Sequence, residues 1–439
     1  MNVVEIGTFL LVVMLLLLTG GVWIAMTLAI VGWVGMAMFT STNPMTWGKN
    51  LFSAMWDSSA SWELAALPLF IWMGEILFRT RLSEQMFEGL APWLNRVPGR
   101  LMHTTILGCG IFGSVSGSSA ATCATIAKVA LPELLKRGYD ERIAIGSLAT
   151  AGTLGILIPP SITMVVYAVA ADASIIRIFM AGFVPGFLLM VLFSGYIMWW
   201  SWRNPDKVPP PEAPSTFAEK LRRSGSLIPC TLLIVFIVWV LIKGYATATE
   251  CAAYGVLGSL GIAAYSRTLT WENFKASLMG STRVSCMIMF ILAGAAFLTK
   301  TMAFTGIPRE LAEWVHSLHL SPYALIAVLC ALYLVLGTAL DGISMIVLTS
   351  AVVLPMIQKA GFDLVWFGIF IVLLVEIAEV TPPVGFNLFV LQNMTGKDSN
   401  TIARASIPFF VCLVICIAII TVFPETATWL PDVTMGKDR

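Results

Sequence analysis

LPELLKRGYD (131–140) followed by LIPPS (157–161), and LPMIQKAGFD (354–363) followed by VTPPV (380–384), are the stretches that decide the fold. Pro132, Gly138, Tyr139, Asp140, Pro159 and Pro160 recur as Pro355, Gly361, Phe362, Asp363, Pro382 and Pro383, each pair 223 residues apart. A single Pro-Pro pair would read as a kink in an ordinary helix, because proline is common in membrane helices. Six residues in register make it an internal repeat. Proline has no N–H and its ring disturbs the preceding turn, so each Pro-Pro breaks a helix and frees backbone carbonyls.

The surroundings of both copies are apolar. Of the 439 residues 58% are hydrophobic and 12% charged, with a mean hydropathy of +0.87. A soluble domain carries about a quarter of its residues as charges. Nearly uncharged runs such as Leu10 to Phe39, Ile228 to Ile242 and Ile407 to Phe423 approach or exceed the roughly 20 residues that cross a bilayer. The chain therefore reads as an all-α integral membrane protein of about 10–11 spans plus two re-entrant hairpins.

Residues 1–61 are expected to hold N-terminal scaffold spans, broken near Gly20-Gly21, with a polar loop running to Trp62. Residues 62–202 form the first repeat, with a surface helix at 83–97, a hairpin at 101–135 and a broken helix at 143–170. The hairpin is inferred from the run Ser114-Val115-Ser116-Gly117-Ser118-Ser119, since irregular backbone at membrane depth must be buried or line a cavity. Residues 203–225 are a soluble, proline-rich linker and 226–275 scaffold spans. The second repeat, 276–424, has a surface helix near 308–318, a hairpin at 321–357 interrupted at Gly337–Gly342, and a broken helix at 364–394. Residues 425–439 are a tail. The N-terminus lacks a basic leader region and its apolar stretch runs past residue 30, as in mature spans rather than a cleaved signal peptide. Most lysines and arginines fall inside if the N-terminus is outside, which puts the first hairpin tip on the cytoplasmic side and the second on the outer side. An odd number of crossings then separates the two broken helices, so the repeats are inverted. Paired, interrupted segments in inverted repeats point to a secondary transporter's midplane site.

A net charge of +1 with no basic stripe gives no reason for a nucleic-acid partner. Eight scattered cysteines without a CxxC pair support neither a disulfide framework nor a metal site. An intramembrane serine hydrolase would need a base, yet His103, His316 and His319 are placed near expected surfaces, away from the serine-rich tip. No phosphate-binding glycine loop suggests ATP-driven transport, and no pattern calls for an organic cofactor. A channel explains inverted broken helices less economically.

Freed carbonyls and hydroxyls suit a dehydrated Na+, and half-helix N-termini suit a carboxylate or sulfonate. The first copy offers Ser116, Ser118, Ser119, Thr153, Gly155 and Ser161; the second offers Gly337, Thr338, Asp341, Ser344, Thr381, Gly385 and Asn387. Such small residues also pack membrane helices, so each taken singly has both readings. Acids at membrane depth are costly and default to function. Asp341 is a candidate to neutralise a cation or to cap the hairpin tip. Glu376 and Glu379, three apart, share a helix face and are read as coupling or structural acids. Lys128 in the first hairpin is read as snorkelling to the surface.

At GSVSGSSAATCATIAKVALPELLKRGYD (113–140), GTLGILIPPS (152–161), GTALDG (337–342), LPMIQKAGFD (354–363) and EIAEVTPPVGFNLFV (376–390), the chain closely resembles the large membrane subunit of tripartite ATP-independent periplasmic (TRAP) transporters, within the ion transporter superfamily. Glu379 stands where the family pattern suggests an apolar residue. The resemblance implies an inner-membrane Na+ symporter for organic acids such as carboxylates or sulfonates, working by an elevator motion. It implies one Na+ site at Ser116, Ser118, Ser119, Gly155 and Pro159, and another at Gly337, Thr338, Asp341, Thr381 and Pro382. Substrate would lie between the tips, near Gly117, Pro160, Ser161, Pro383, Gly385 and Asn387. The implied partners are a small four-span membrane subunit and a periplasmic substrate-binding protein. A stand-alone symporter or antiporter of the same superfamily is the alternative.

Overall fold

The GYD and GFD elements of the repeat show how the sequence writes the turns. In the computed structural model, which describes residues 3–40, 43–80, 82–211, 216–225, 227–308, 310, 313, 321–337, 340–382 and 385–436, Gly138 and Gly361 take left-handed φ values of 85° and 80°. Each closes a helix: Tyr139 N–H donates to Leu134 O at 3.1 Å, and Phe362 N–H to Ile357 O at 3.1 Å. Glycine has no Cβ to clash in this conformation. The next aspartate then starts a new helix. Asp140 Oδ1 accepts from Arg142 N at 3.0 Å and Ile143 N at 3.2 Å, and Asp363 Oδ1 accepts from Trp366 N at 2.8 Å. Two residues thus fold the hairpin back onto the broken helix, twice over.

Every regular element among the described residues is a helix. The first hairpin comprises Met102–Ser116 and Ser119–Lys136, and the first broken helix Glu141–Ala151, Leu154–Leu157 and Ile162–Ala170. The second hairpin comprises Pro322–Leu336 and Gly342–Lys359, and the second broken helix Leu364–Glu379 and Phe386–Thr395. Each hairpin's second helix packs on the last segment of the other repeat's broken helix: Ser119–Lys136 on Phe386–Thr395, and Gly342–Lys359 on Ile162–Ala170. Tyr167 Oη ties the repeats further by donating to Leu364 O at 2.7 Å.

A second body forms around the 35-residue helix Trp271–Thr305, which packs on Ile24–Phe39, Pro44–Ser59 and Ala66–Phe78. Gly32 and Gly35 let it approach closely, and Thr301 Oγ1 donates to Gly32 O at 3.1 Å. Small residues permit this where apolar side chains gain nothing by leaving lipid. The outer surface is correspondingly apolar, with Leu16, Leu232, Val235, Leu257 and Ile407 all more than half exposed. Four described helices are long and apolar enough to cross a bilayer alone. One bent pair, Glu141–Leu157 with Ile162–Ala170, qualifies as a broken span with a bend of 46°, and four shorter apolar helices accompany them.

Several expectations need correction. The stretch running to Trp62 is not a loop but contains the helix Pro44–Ser59, started by Asn43, whose Oδ1 accepts from Thr46 N at 2.9 Å. Its polar composition masked an Asn-Pro helix start. The linker is helical at Phe217–Ser224, where a Thr216–Glu219 capping box holds the exposed Glu219 carboxyl below its usual range through the Thr216 backbone N–H. That helix docks on Leu82–Leu94: Trp93 Nε1 donates to Ser224 Oγ at 2.7 Å, and Ser224 Oγ donates to Gly89 O at 3.0 Å. The C-terminal stretch is no mere tail, because Glu425–Met435 packs on the helix Ile175–Arg203, with Arg177 3.8 Å from Asp432. One helix runs through the expected boundary at 275/276. His103 is buried in the protein, its Nε2 2.7 Å from Pro98 O, rather than at a surface. His316 and His319, with most of 308–318, lie outside the described residues.

Candidate functional site

The first half-site is built from a glycine turn. The chain reverses at Gly117, whose φ is 60°, and Ser118 caps the returning helix, its Oγ accepting from Ala121 N at 3.5 Å. Ser116 Oγ lies 3.2 Å from Ser118 O and 2.6 Å from Thr122 Oγ1, and Thr122 Oγ1 donates to Ser118 O at 2.7 Å. The broken helix comes against this oxygen cluster through glycine. A Cβ on Gly155 would stand 2.7 Å from Thr122 Oγ1 and 3.1 Å from Ser118 O, and one on Gly113 would stand 2.5 Å from Gly155 Cα. Ser116, Ser118 and Gly155 are thus brought together. Thr122 joins them; its place one helical turn beyond Ser118 was the available signal.

Pro159 and Pro160 separate Leu154–Leu157 from Ile162–Ala170, and Ser161 caps the latter. Its Oγ donates to Ile156 O at 2.6 Å and accepts from Met164 N at 3.4 Å. This hydroxyl therefore satisfies a carbonyl that the break leaves free. Gly117 lies against the next residue: its Cβ would meet Ile162 N at 3.0 Å.

In the second half-site Asp341, 223 residues after Ser118, holds the same capping position. Its Oδ2 accepts from Ser344 N at 3.3 Å, and Ser344 Oγ donates to Oδ1. The tip again meets the broken helix through glycines: a Cβ on Gly337 would fall 2.1 Å from Ala378 Cβ, and one on Gly342 2.3 Å from Val375 Cγ1. Thr381 Oγ1 donates to Ile377 O at 2.5 Å, and Gly385 N donates to Thr381 O at 3.0 Å. Pro382 is exposed, while Thr338 and Pro383 lie outside the described residues.

The two half-sites meet at the acids. Glu379 stands beside Ser119 of the first tip and within electrostatic reach of Asp341 at the second, its Oε1 3.6 Å from the Cβ position of Gly342. Glu376 is fully buried beside Thr153, its counterpart 223 residues earlier, and beside Glu379. Neither Glu376 oxygen has a hydrogen-bond partner within 3.5 Å among the described residues, and Thr153 Oγ1 donates to Thr150 O at 2.8 Å instead. Equivalent residues in contact mark the pseudo-two-fold axis between the repeats. A buried carboxylate without a partner is costly in hydrocarbon and becomes tolerable with a cation or a proton.

Asn387 is buried and joins the repeats. Thr153 N–H turns to Thr150 O at the break, and Asn387 Nδ2 donates at 3.0 Å to Ala149 O, the carbonyl an unbroken helix would have used. Its Oδ1 has no partner among the described residues. No cluster of three or more His, Cys, Asp or Glu side chains that could hold a metal ion occurs among them.

The same architecture occurs in a solved structure of the YdaH transporter of Alcanivorax borkumensis. The match has a TM-score of 0.63 at 12% identity and covers 95% of this chain and 98% of that one. At that identity the likeness concerns the fold alone. In sequence the chain is 31% identical over 387 residues to the C4-dicarboxylate TRAP transporter large permease protein DctM of Pseudomonas aeruginosa, covering 88% of this chain and 90% of the relative. It is 29% identical to the isethionate TRAP transporter permease protein DctMQ of Oleidesulfovibrio alaskensis, over 85% of this chain and 58% of that one. It is also 29% identical to the ectoine/5-hydroxyectoine large permease protein UehC of Ruegeria pomeroyi, over 85% and 87%. The family model of the tripartite ATP-independent periplasmic transporter, DctM component, matches residues 11–426. The chain belongs to that family, the large permease subunits of TRAP transporters of the inner membrane.

Proposed function

We propose that this permease imports a small organic acid, a carboxylate or sulfonate, by Na+ symport, receiving it from a periplasmic binding protein and working with a small four-span membrane subunit. The observation that carries the reading is the convergence of two glycine-built tips on Glu379. One Na+ would be held near Ser116, Ser118, Ser119, Gly155 and Pro159, and the other near Gly337, Thr338, Asp341, Thr381 and Pro382. The anion would lie between the tips, where the capped starts of Ser119–Lys136, Ile162–Ala170 and Gly342–Lys359 present positive helix ends. Two relatives in the family are named for acids of this kind, C4-dicarboxylate and isethionate.

An elevator motion fits the packing: hairpins and broken helices interlock across the repeats, while Trp271–Thr305 gathers a separate body. Uptake by proteoliposomes, with candidate acids and binding proteins added in turn, tests the proposal. Uptake that needs both the binding protein and an inward Na+ gradient is expected. Undiminished uptake after the gradient is collapsed would overturn symport, and uptake without any binding protein would favour the stand-alone reading.

A further inference from the structure

Away from the transport site, a cavity of about 520 Å³ opens between residues 95–100, the end of the helix Ile175–Arg203 and the start of the linker. Its size is that of a small-molecule site. Arg96 and Arg100 line it, and neither guanidinium is in an ion pair among the described residues. Ser201 lines it from the helix side. That residue is only 6% exposed, yet its Oγ has no hydrogen-bond partner among the described residues. Gly99, with a φ of 97°, brings the loop against this hydroxyl: a Cβ there would lie 3.1 Å from Ser201 Oγ. Val208 and Pro205 supply an apolar wall. Two cations outside any ion pair and one buried hydroxyl without a hydrogen bond among the described residues, set around an open volume, are the recognition chemistry of a phosphate ester.

Its depth identifies the source of that phosphate. Trp199 and Trp202, which flank Ser201 on the same helix, are 53% and 84% exposed. Trp199 also carries the Arg203 guanidinium carbon 5.7 Å from its ring centre. Exposed tryptophans and arginines at the end of a spanning helix lie at headgroup level. The cavity therefore faces lipid headgroups rather than bulk solvent.

We propose that this cavity binds the phosphodiester headgroup of an anionic phospholipid from the leaflet on which these arginines lie. Arg96 and Arg100 clamp the phosphate, Ser201 Oγ donates to it, and Val208 and Pro205 cover its glycerol. Basic pockets between membrane helices recognise lipid headgroups in this way. Occupation would join the first hairpin's entry loop to the linker, steadying one side of the moving body.

The test titrates phosphatidylglycerol into the purified full chain in neutral detergent, with phosphatidylcholine and inorganic phosphate as separate arms. Native mass spectrometry reads bound lipid, and the thermal midpoint reads its effect. Phosphatidylglycerol should bind and raise the midpoint, whereas phosphatidylcholine and inorganic phosphate should not. Each arginine near a charged headgroup is worth about fivefold in affinity, so Arg96→Gln with Arg100→Gln should weaken phosphatidylglycerol binding roughly 25-fold. Arg96 is exposed, so Arg96→Gln alone keeps the fold and should still show the fivefold loss. Equal binding of phosphatidylglycerol by the arginine variants would overturn the assignment. An equal midpoint shift with inorganic phosphate would also overturn it, in favour of a soluble anion.

Discussion

Replacing Gly113 by alanine tests the half-site most directly. The added Cβ would stand 2.5 Å from Gly155 Cα and 2.8 Å from Gly155 N, both backbone atoms that cannot swing aside. Carbon atoms pack at about 3.5–4.0 Å, so the hairpin and the broken helix must part by about 1 Å. Overpacking of this kind costs about 1–3 kcal/mol, partly offset by the roughly 1 kcal/mol that alanine gains over glycine within a helix. The displaced surfaces carry Ser116, Ser118 and Gly155. If they hold a cation jointly, its affinity should fall between about 5- and 150-fold as those 1–3 kcal/mol appear in binding. Gly108→Ala is the control on the same helix, since its nearest neighbour would be Ile126 Cδ1 at 3.9 Å. It should be neutral or stabilising. The assay is the Na+ concentration giving half-maximal uptake, with the Na+-dependent rise in thermal midpoint as a readout that needs no transport. An unchanged Na+ dependence in Gly113→Ala would refute the joint site. Equal damage from Gly108→Ala would show that any added methyl is harmful.

The other predictions address different contacts. Gly74→Ala places a Cβ 2.9 Å from Val115 O, between the Trp271–Thr305 body and the first tip, and should slow uptake several-fold with little change in Na+ dependence; a pure affinity change would argue against a sliding interface there. Asp341→Asn keeps an equally good helix cap while removing the charge. It should leave the folded yield unchanged and weaken Na+ dependence about tenfold or more, and wild-type dependence would remove the charge from the site. Glu376→Gln removes a buried carboxylate that has no hydrogen-bond partner among the described residues, so the thermal midpoint should hold or rise while Na+-driven uptake falls; full uptake would make Glu376 structural. Trp93→Ala removes a hydrogen bond to Ser224, an edge contact with Phe217 and the ring beneath Lys220. Together these are worth about 2–3 kcal/mol, so trypsin should cut faster at Lys220, Arg222 and Arg223, and an unaltered cleavage rate would show that the linker helix is not held there.

Much of this protein could be read along the chain because the determining interactions are local. A Pro-Pro pair breaks its own helix, Gly138 and Gly361 turn where they stand, and Asp140 and Asp363 cap the residues immediately after them. Repetition at one interval then exposed the two-fold design. Local composition misled where a helix was polar: Asn43-Pro44 began one inside an apparent loop, and Thr216 another inside a proline-rich linker. What the sequence could not determine was which face of each break meets which tip, because that depends on contacts between residues hundreds of positions apart. Tertiary packing brought Thr122 into the first oxygen cluster and sent the Asn387 amide to Ala149 O. It also set Glu376 against Thr153 on the pseudo-two-fold axis. The sequence alone determined that there are two broken-helix repeats, each preceded by a hairpin; only the fold placed Glu379 between the two hairpin tips, because close approach through Gly155, Gly337 and Gly342 removes the space that side chains would otherwise hold open.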